Sequence, residues 1–299
     1  MPDTQLTSHL TPQTPLAAAI NSWESYLADK GRSPNTIKAF LSDVRILTQF
    51  LPADTTIGKV TTRDLNRYFE WMEKERGIPC SPKTLARRIT ATKSFFRWLH
   101  QYGVLTVDPA EQVAQRSAIS PLPTVLTPQE YDAALLAADR HRRAQKADAR
   151  PYTLVYLLLT TGIKKSETLG IKLEHIELES PNGPQVFIRY ASPANRYKER
   201  KLPLPDDWIP AYNEYIAQYQ PKEQLFPWSP RRLEYLLEDI GNEAGLTKHL
   251  SFDMCRWTCA LTDYRLGVEP DKIRQKLGVS KIQWRELFIK LKQLAGNSN

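Results

Sequence analysis

The chain has 299 residues, of which 41% are hydrophobic and 25% are charged; this composition argues against a disordered protein and leaves room for about two packed domains. No apolar run approaches the ~18 residues of a membrane helix, and the N-terminus lacks the basic and apolar segments of a secretory signal. The three cysteines make no disulfide framework, so we expect a cytoplasmic protein without membrane contact. The net charge of +8 is compatible with nucleic-acid binding, although composition alone leaves an ordinary basic protein equally open.

The first third of the chain has the pattern of a helical bundle. Residues 1–15 are rich in Thr, Pro and Gln without periodicity, which predicts a flexible arm. Ser33 and Ser81 are each followed by proline, a combination typical of a helix N-cap and first turn. The amphipathic segments that follow the arm are 16–31, 33–51, 61–77 and 81–103. Short polar joints between them predict a bundle domain over 16–117.

The fourth of these segments is unusually basic and has no acidic residue between positions 83 and 97. Its basic residues are Lys83, Arg87, Arg88, Lys93 and Arg97. Apolar residues between them would face the core and leave a cationic face that favours contact with nucleic-acid phosphates. A solvated charged face remains the alternative, since most charge runs are of that kind.

A proline-rich stretch predicts an extended linker over 118–127, followed by a second domain over 128–299. A hairpin is expected from 185–190 and 198–204, and strand-like alternation also occurs in 172–180. The helical segments of this domain are 127–146, 151–162, 206–219, 229–244, 252–265, 269–277 and 281–294. The whole chain is therefore predicted to be mostly α-helical, with a small antiparallel sheet in the second domain.

Several kinds of enzyme site are missing from the sequence. There is no phosphate-binding glycine loop, no HExxH motif, no CxxC pair and no GxSxG elbow. Cys255 and Cys259 are four residues apart on a predicted helix, and His249 is the only further candidate ligand near them. Buried helical cysteines are favoured over a metal site. We therefore predict no metal and no cofactor.

A series of short motifs carries a family resemblance. SPNT (33–36) and LPTVLTPQE (122–130) are followed by TGIKKSETLG (161–170), RYKERKLPLP (196–205), LSFDMCRWTC (250–259) and WRELFIKL (284–291). In this order they resemble the tyrosine recombinase family, of the phage integrase or Xer type, over about 16–294. The resemblance implies an N-terminal helical core-binding (SAM-like) domain and an α-rich catalytic-type C-terminal domain that enclose duplex DNA.

Members of that family cut DNA with a tyrosine hydroxyl, while arginines, a hairpin lysine and further donors hold the phosphate. The positions that align with these catalytic residues are Lys164, Asn195, Asp253, Arg256, Val279 and Phe288. Only Arg256 keeps the family residue, although Arg196, Lys198 and Lys201 lie near position 195, and a slipped register could let one of them replace the hairpin lysine. Phe288 has no oxygen to form a phosphotyrosine ester, and no tyrosine follows Tyr264. The resemblance therefore implies a degenerate site in which Phe288 is a packing residue that fills the former pocket.

The leading hypothesis is a site-specific DNA-binding protein that cannot cleave DNA and has an accessory or regulatory role in recombination or integration. Its expected partners are double-stranded DNA, an active recombinase or another transposition protein, and further copies of itself on DNA; nucleoid association would follow. Candidate DNA contacts of the second domain are Lys164, Lys165, Arg196, Lys198, Arg200, Lys201, Arg231, Arg232 and Arg256. Two alternatives stay open: an active recombinase with another nucleophile, such as Ser251 or Ser280, and a protein-interaction module that no longer binds DNA.

Overall fold

A computed structural model describes residue 7 and residues 9–78, 80–116 and 121–296. The chain divides into two compact units, Met1–Pro121 and Leu122–Asn299, and this division falls inside the linker expected over 118–127. Residues 117–120 of that linker and residues 1–6 and 8 of the expected arm lie outside the described residues. No helix among the described residues is both long enough and apolar enough to cross a membrane.

The first unit is a helical bundle, as the sequence predicted. Its helices are α1 (Leu16–Asp29), α2 (Pro34–Arg45), α3 (Leu47–Phe50), α4 (Thr62–Lys74) and α5 (Pro82–Gln101). The expected caps are present, because Ser33 Oγ and Ser81 Oγ each accept a backbone N–H at 3.2 Å from the residue three positions later. The helix expected over 33–51 is interrupted at Ile46, next to the Arg45 carbonyl that accepts the Thr48 hydroxyl at 2.8 Å.

The described part of the expected arm packs against the bundle instead of extending into solvent. Leu10 is buried in the core of the first unit. The backbone N–H of Gly58 donates to the carbonyl of Pro12 at 2.8 Å, and that of Ile57 donates to Thr14 at 3.0 Å. A Cβ at position 58 would lie 2.7 Å from Pro12 Cβ, so glycine permits this approach. The arm has no periodicity, and for that reason its sequence did not reveal these contacts.

The second unit is mostly helical with one small antiparallel sheet. Its elements are α6 (Pro128–Arg143), α7 (Arg150–Thr161), α8 (Lys165–Gly170), β1 (Ile176–Glu177), β2 (Gln185–Ile188), β3 (Arg200–Pro203), α9 (Ile209–Tyr219), α10 (Pro230–Glu243), α11 (Phe252–Arg265), α12 (Pro270–Lys276) and α13 (Lys281–Gly296). The sheet order is β1-β2-β3, and Val186 pairs with Leu202. The predicted hairpin is confirmed; the alternation in 172–180 gives only the short β1, because Leu173–His175 forms a 3₁₀ turn.

Helix α7 lies at the centre of the second unit and ends beside α11. Its side chains Leu154 and Leu158 are fully buried, as the long apolar run indicated. The helix ends at Gly162, which has the left-handed backbone conformation (φ +61°). A Cβ at Gly162 would lie 3.2 Å from Cys259 Sγ and 3.1 Å from Leu277 Cδ2. The absence of a side chain therefore lets α7 end close to α11 and to the residue after α12, and this junction carries the candidate site.

Candidate functional site

Two basic side chains meet at the junction where α7 ends. Lys164 is the N-cap residue of α8, and its backbone N–H donates to Glu167 Oε2 at 2.8 Å. Arg256, from the first half of α11, donates to the carbonyls of Gly162 at 2.5 Å and Leu277 at 2.6 Å. Burial lowers the pKa of Lys164, and the neighbouring charge of Arg256 lowers it further, although Glu167 opposes both effects.

A buried carboxylate lies behind these cations. Glu167 accepts two hydrogen bonds from Arg200, at 3.1 Å to Oε1 and 3.0 Å to Oε2, and a further one from the Tyr190 hydroxyl. Burial alone would raise the pKa of Glu167, but the hydrogen bonds and charge of Arg200 hold it below its usual value. Sequence reasoning missed Glu167 and Tyr190; an acid three residues after a helix N-cap is the signal that identifies Glu167.

The β2–β3 connection supplies another cation. It forms a 3₁₀ helix over Pro193–Lys198, and Lys198 Nζ donates to Asn195 Oδ1 at 2.8 Å. The charge of Lys198 acts on Lys164 and lowers the pKa of that amine. The hairpin therefore has a cation at position 198, which is hydrogen-bonded to the neutral side chain at the aligned position 195.

An open pocket of about 920 Å³ lies in front of the junction. The basic residues that line it are Lys164, Lys165, Arg231 and Arg256; its acidic residues are Glu234, Glu238 and Asp253; its hydroxyl groups come from Ser229, Tyr235 and Ser251. Lys165 pairs with Glu234 at 2.6 Å, and Arg231 donates to the Tyr235 hydroxyl at 2.6 Å. Asp253 is exposed in the first turn of α11, where the helix dipole favours a negative charge.

Not all the expected DNA contacts of the second unit are free at the surface. Arg200 is turned inward with a side chain only 10% exposed, and its Nε donates to the Lys276 carbonyl at 2.5 Å. It is therefore a structural arginine and not an exposed contact, a correction to the sequence analysis. Lys201 pairs with Glu177 at 2.9 Å. Arg196 is exposed, and Arg232 is exposed but lines a different pocket from Arg231.

The basic residues of α5 also divide into surface and interior positions. Lys83, Arg87 and Arg97 are exposed on one helix face. Arg88 points inward: its side chain is 13% exposed and its Nη1 lies 3.2 Å from Cys80 Sγ. Lys93 is half-exposed, and its ammonium is engaged with backbone carbonyls, those of Val113 at 2.6 Å and Glu111 at 3.1 Å. The prediction of a single five-residue face is therefore wrong for Arg88, and Lys93 is held by the chain that follows α5.

An interior acid explains the inward arginine. Asp43 of α2 is buried, and its carboxylate lies 3.6 Å from Arg88 Nε and 2.6 Å from Arg87 Nη1. Burial raises the pKa of Asp43, and the two arginines oppose that shift. The basic segment of α5 shows the positive charges of Arg87 and Arg88, but it does not show that their partner Asp43 lies in another helix.

The last two aligned positions lie in a separate hydrophobic cluster. Val279 is buried, next to Trp257 and Leu277 in the cluster. Phe288 is half-buried, stacks on Trp284 at 5.4 Å between ring centroids and meets Tyr264 edge-on at 5.9 Å. Phe288 is thus a packing residue, and it is not among the residues that line the open pocket containing Arg256.

The structure also bears on the metal prediction. Cys255 and Cys259 are both buried, as expected for helical core cysteines, and Cys259 Sγ donates to the Thr160 carbonyl at 3.4 Å. Burial raises the pKa of both thiols, to about 12 and about 11. Across the described ranges, no cluster of His, Cys, Asp or Glu has the arrangement to hold a metal ion.

Comparison with known proteins gives two adjoining family matches. Residues 20–103 match the family described as the phage integrase N-terminal SAM-like domain, and residues 124–291 match the phage integrase family. Tyrosine recombinase XerD of Listeria innocua is 22% identical over 90% of this chain and 92% of its own length. Tyrosine recombinase XerC of Mycobacterium tuberculosis is 32% identical over 54% of each chain.

Solved structures have the same fold. XerH site-specific recombinase bound to a palindromic difH substrate, in a post-cleavage complex, covers 96% of this chain and 98% of its own, with a TM-score of 0.72 and 17% identity. A lambda integrase dimer bound to a COC′ core site covers 94% of this chain and 79% of its own, with a TM-score of 0.72 and 14% identity. At these identities the likeness establishes the fold.

Proposed function

Since this chain belongs to the phage integrase family, we propose that it binds double-stranded DNA without cleaving it. The observation that carries the proposal is the junction itself, where Lys164 and Arg256 line an open pocket beside the buried carboxylate of Glu167, and where the charge of Lys198 also acts on Lys164. A DNA backbone phosphate is the anion that this cationic pocket fits.

The donor groups of the pocket match a phosphate in kind. A guanidinium has five N–H groups, and Arg256 uses two contacts to backbone carbonyls to fix its position while its remaining N–H groups stay available. Lys164 adds a compact ammonium that binds as a point charge instead of a fork. Such an arrangement holds a phosphate in place but supplies no attacking oxygen by itself.

The nucleophile is the missing part of the reaction. Position 288 holds a phenyl ring, which packs on Trp284 and Tyr264 outside the pocket. Without a phenol at this position no phosphotyrosine ester can form there. We therefore infer a pseudo-enzyme that has kept phosphate binding and lost strand cleavage.

One observation favours a second candidate, an active recombinase with an altered nucleophile. Ser251 lines the pocket together with Arg256. Its Oγ, however, accepts the Met254 backbone N–H at 3.2 Å as the N-cap of α11, which commits an oxygen lone pair to the helix. Ser280, the other serine considered, lies outside the pocket and accepts the Gln283 N–H at 3.3 Å. The third hypothesis, a protein-interaction module, does not explain why basic side chains line the pocket.

A DNA-binding pseudo-enzyme would act as an accessory or regulatory subunit. The lambda integrase structures that share this fold are a dimer on a core site and a tetramer on a Holliday junction. We propose that this chain likewise assembles on DNA, with further copies of itself or with an active recombinase. Its proposed place of action is the nucleoid, in the cytoplasm.

The test is capture of random genomic DNA fragments by the purified chain at near-physiological salt, with half of each sample treated with SDS. One enriched motif that SDS releases completely is the expected result. Retention through SDS would establish a covalent adduct and support the altered nucleophile. Lys164→Ala should reduce capture, whereas Lys222→Ala, an exposed lysine outside the pocket, should not. Equal capture by both variants, or none by the wild type, would refute the proposal.

A further inference from the structure

An exposed tyrosine stands on the hairpin beside the pocket. Tyr197 is 68% exposed, more than any other aromatic side chain of the described residues. The next most exposed aromatic residues are occupied: Tyr235 accepts a hydrogen bond from Arg231, and Tyr219 meets Trp228 edge-on at 5.2 Å. Within the described part of the chain, the ring of Tyr197 has a cation contact with Lys198, whose ammonium lies 5.1 Å from the ring centroid. A large ring left in water on a folded hairpin is a candidate contact surface.

The backbone around this tyrosine is fixed. Tyr197 lies within the 3₁₀ helix Pro193–Lys198, whose end is closed by the N–H of Glu199 donating to the Arg196 carbonyl at 2.9 Å. The Lys198 carbonyl accepts from Arg200 Nη1 at 3.1 Å. Because that same arginine binds the buried carboxylate behind Lys164, the connection is tied to the phosphate pocket. The backbone that carries the ring is thus ordered before any ligand arrives, so binding has only the side-chain torsions of Tyr197 left to fix.

The charges around the ring indicate the kind of ligand. Arg196, which precedes Tyr197 in the chain, is exposed, and Lys198, which follows it, has its ammonium 5.1 Å from the ring centroid. An aromatic ring between cations suits a nucleotide, since the phosphate pairs with the cations and the base stacks on the ring. A base inside a continuous duplex already stacks on its neighbours, so its face is open only where the duplex is bulged, mispaired or kinked.

We propose that Tyr197 is a stacking platform for a nucleobase that is unstacked next to the phosphate held in the pocket. The inference rests on the proposed DNA-binding function and adds a preference to it: the chain selects duplex DNA that is bulged or easily kinked. Stacking of one base on an aromatic side chain corresponds to about 5- to 150-fold in affinity.

The experiment compares two duplexes of one sequence, one fully paired and one with a single bulged 2-aminopurine, whose fluorescence falls when it stacks. The wild type should bind the bulged duplex about 5- to 150-fold more tightly and quench its fluorescence. Tyr197→Phe should behave in the same way, because stacking needs only the ring. Tyr197→Ala should lose the preference and the quenching, yet keep its affinity for the paired duplex and the salt dependence of that affinity.

Two control variants distinguish the effect of base stacking on DNA affinity from the effect of a lost charge and from that of any surface substitution. Arg196→Ala should weaken binding to both duplexes alike, because it removes a charge and leaves the ring. Leu266→Ala, at a side chain 76% exposed elsewhere in the second unit, should change nothing. A Tyr197→Ala variant that keeps the preference, or a wild type without one, would overturn the stacking inference alone. Absence of binding to either duplex would overturn the proposed function and the inference with it.

Discussion

Replacement of Glu167 by alanine should destabilise the second unit severely. The carboxylate is almost completely buried, and its removal leaves the Arg200 guanidinium, 10% exposed, without its ion-pair partner. Breaking one partner of a buried ion pair costs about 3–5 kcal/mol. For a unit of this size each kcal/mol lowers the melting temperature by roughly 2–4 °C, so a fall of about 6–20 °C is expected.

Scanning calorimetry of the full chain measures this effect, and a double variant tests its cause. Glu167→Leu with Arg200→Leu removes both charges together, so it should recover part of the lost stability, since an apolar pair avoids the unpaired buried charge. Glu223→Ala is the matched control: the pair of Glu223 with Lys172 also lies in the second unit but is exposed, so the melting temperature should hardly change. If the double variant melts as low as Glu167→Ala does, the unpaired charge is not the cause.

The carboxylate of Glu167 also predicts a dependence of stability on pH, because its pKa in the folded protein is below the ordinary 4.5. Its contribution to the free energy of unfolding is present above pH 4.5 and disappears as the pH falls through the folded pKa. Glu167→Gln should therefore flatten this part of an acid-unfolding curve. Lys83→Ala should reduce the slope of log affinity against log salt by about 1, whereas Arg88→Ala should lower the melting temperature and leave that slope unchanged. Phe288→Tyr should give no SDS-resistant DNA adduct, because this ring packs on Trp284 outside the pocket; a covalent adduct would contradict that placement.

Local rules accounted for most of the fold. Helix caps such as Ser33 and Ser81, the apolar run of α7 and the hairpin strands are set by residues close together in sequence, and the structure confirms them. The aligned motifs also placed Lys164 and Arg256 at one site, and both line one pocket. These features depend on periodicity and motif order, which a single sequence displays.

The wrong predictions for Arg88 and Arg200 have one physical origin: each arginine pairs with a buried carboxylate on another element of the fold. From the sequence Arg88 is expected at the surface, because its partner Asp43 belongs to another helix. Arg200 likewise belongs to a basic strand in the sequence, while its partner Glu167 lies 33 residues earlier. Burial of an ion pair depends on which distant elements meet, and the pattern of neighbouring residues does not contain that information. Leu10 in the expected arm was missed for a different reason, because the arm has no periodicity that marks it as a core residue.

The two carbonyl contacts of Arg256 have a consequence for how such a chain evolves. One guanidinium joins the end of α7, through Gly162, to the residue after α12, through Leu277. Loss of this arginine would release both segments, so under the proposed loss of cleavage, selection for a folded protein would be enough to retain it. The ring at position 288 packs on Trp284 without a hydroxyl, so under the same proposal a tyrosine hydroxyl at this position could be lost while the packing persists. Degeneration is therefore expected to begin at residues that serve the reaction alone, and an intact arginine in a relative of this chain is not a sign of catalysis.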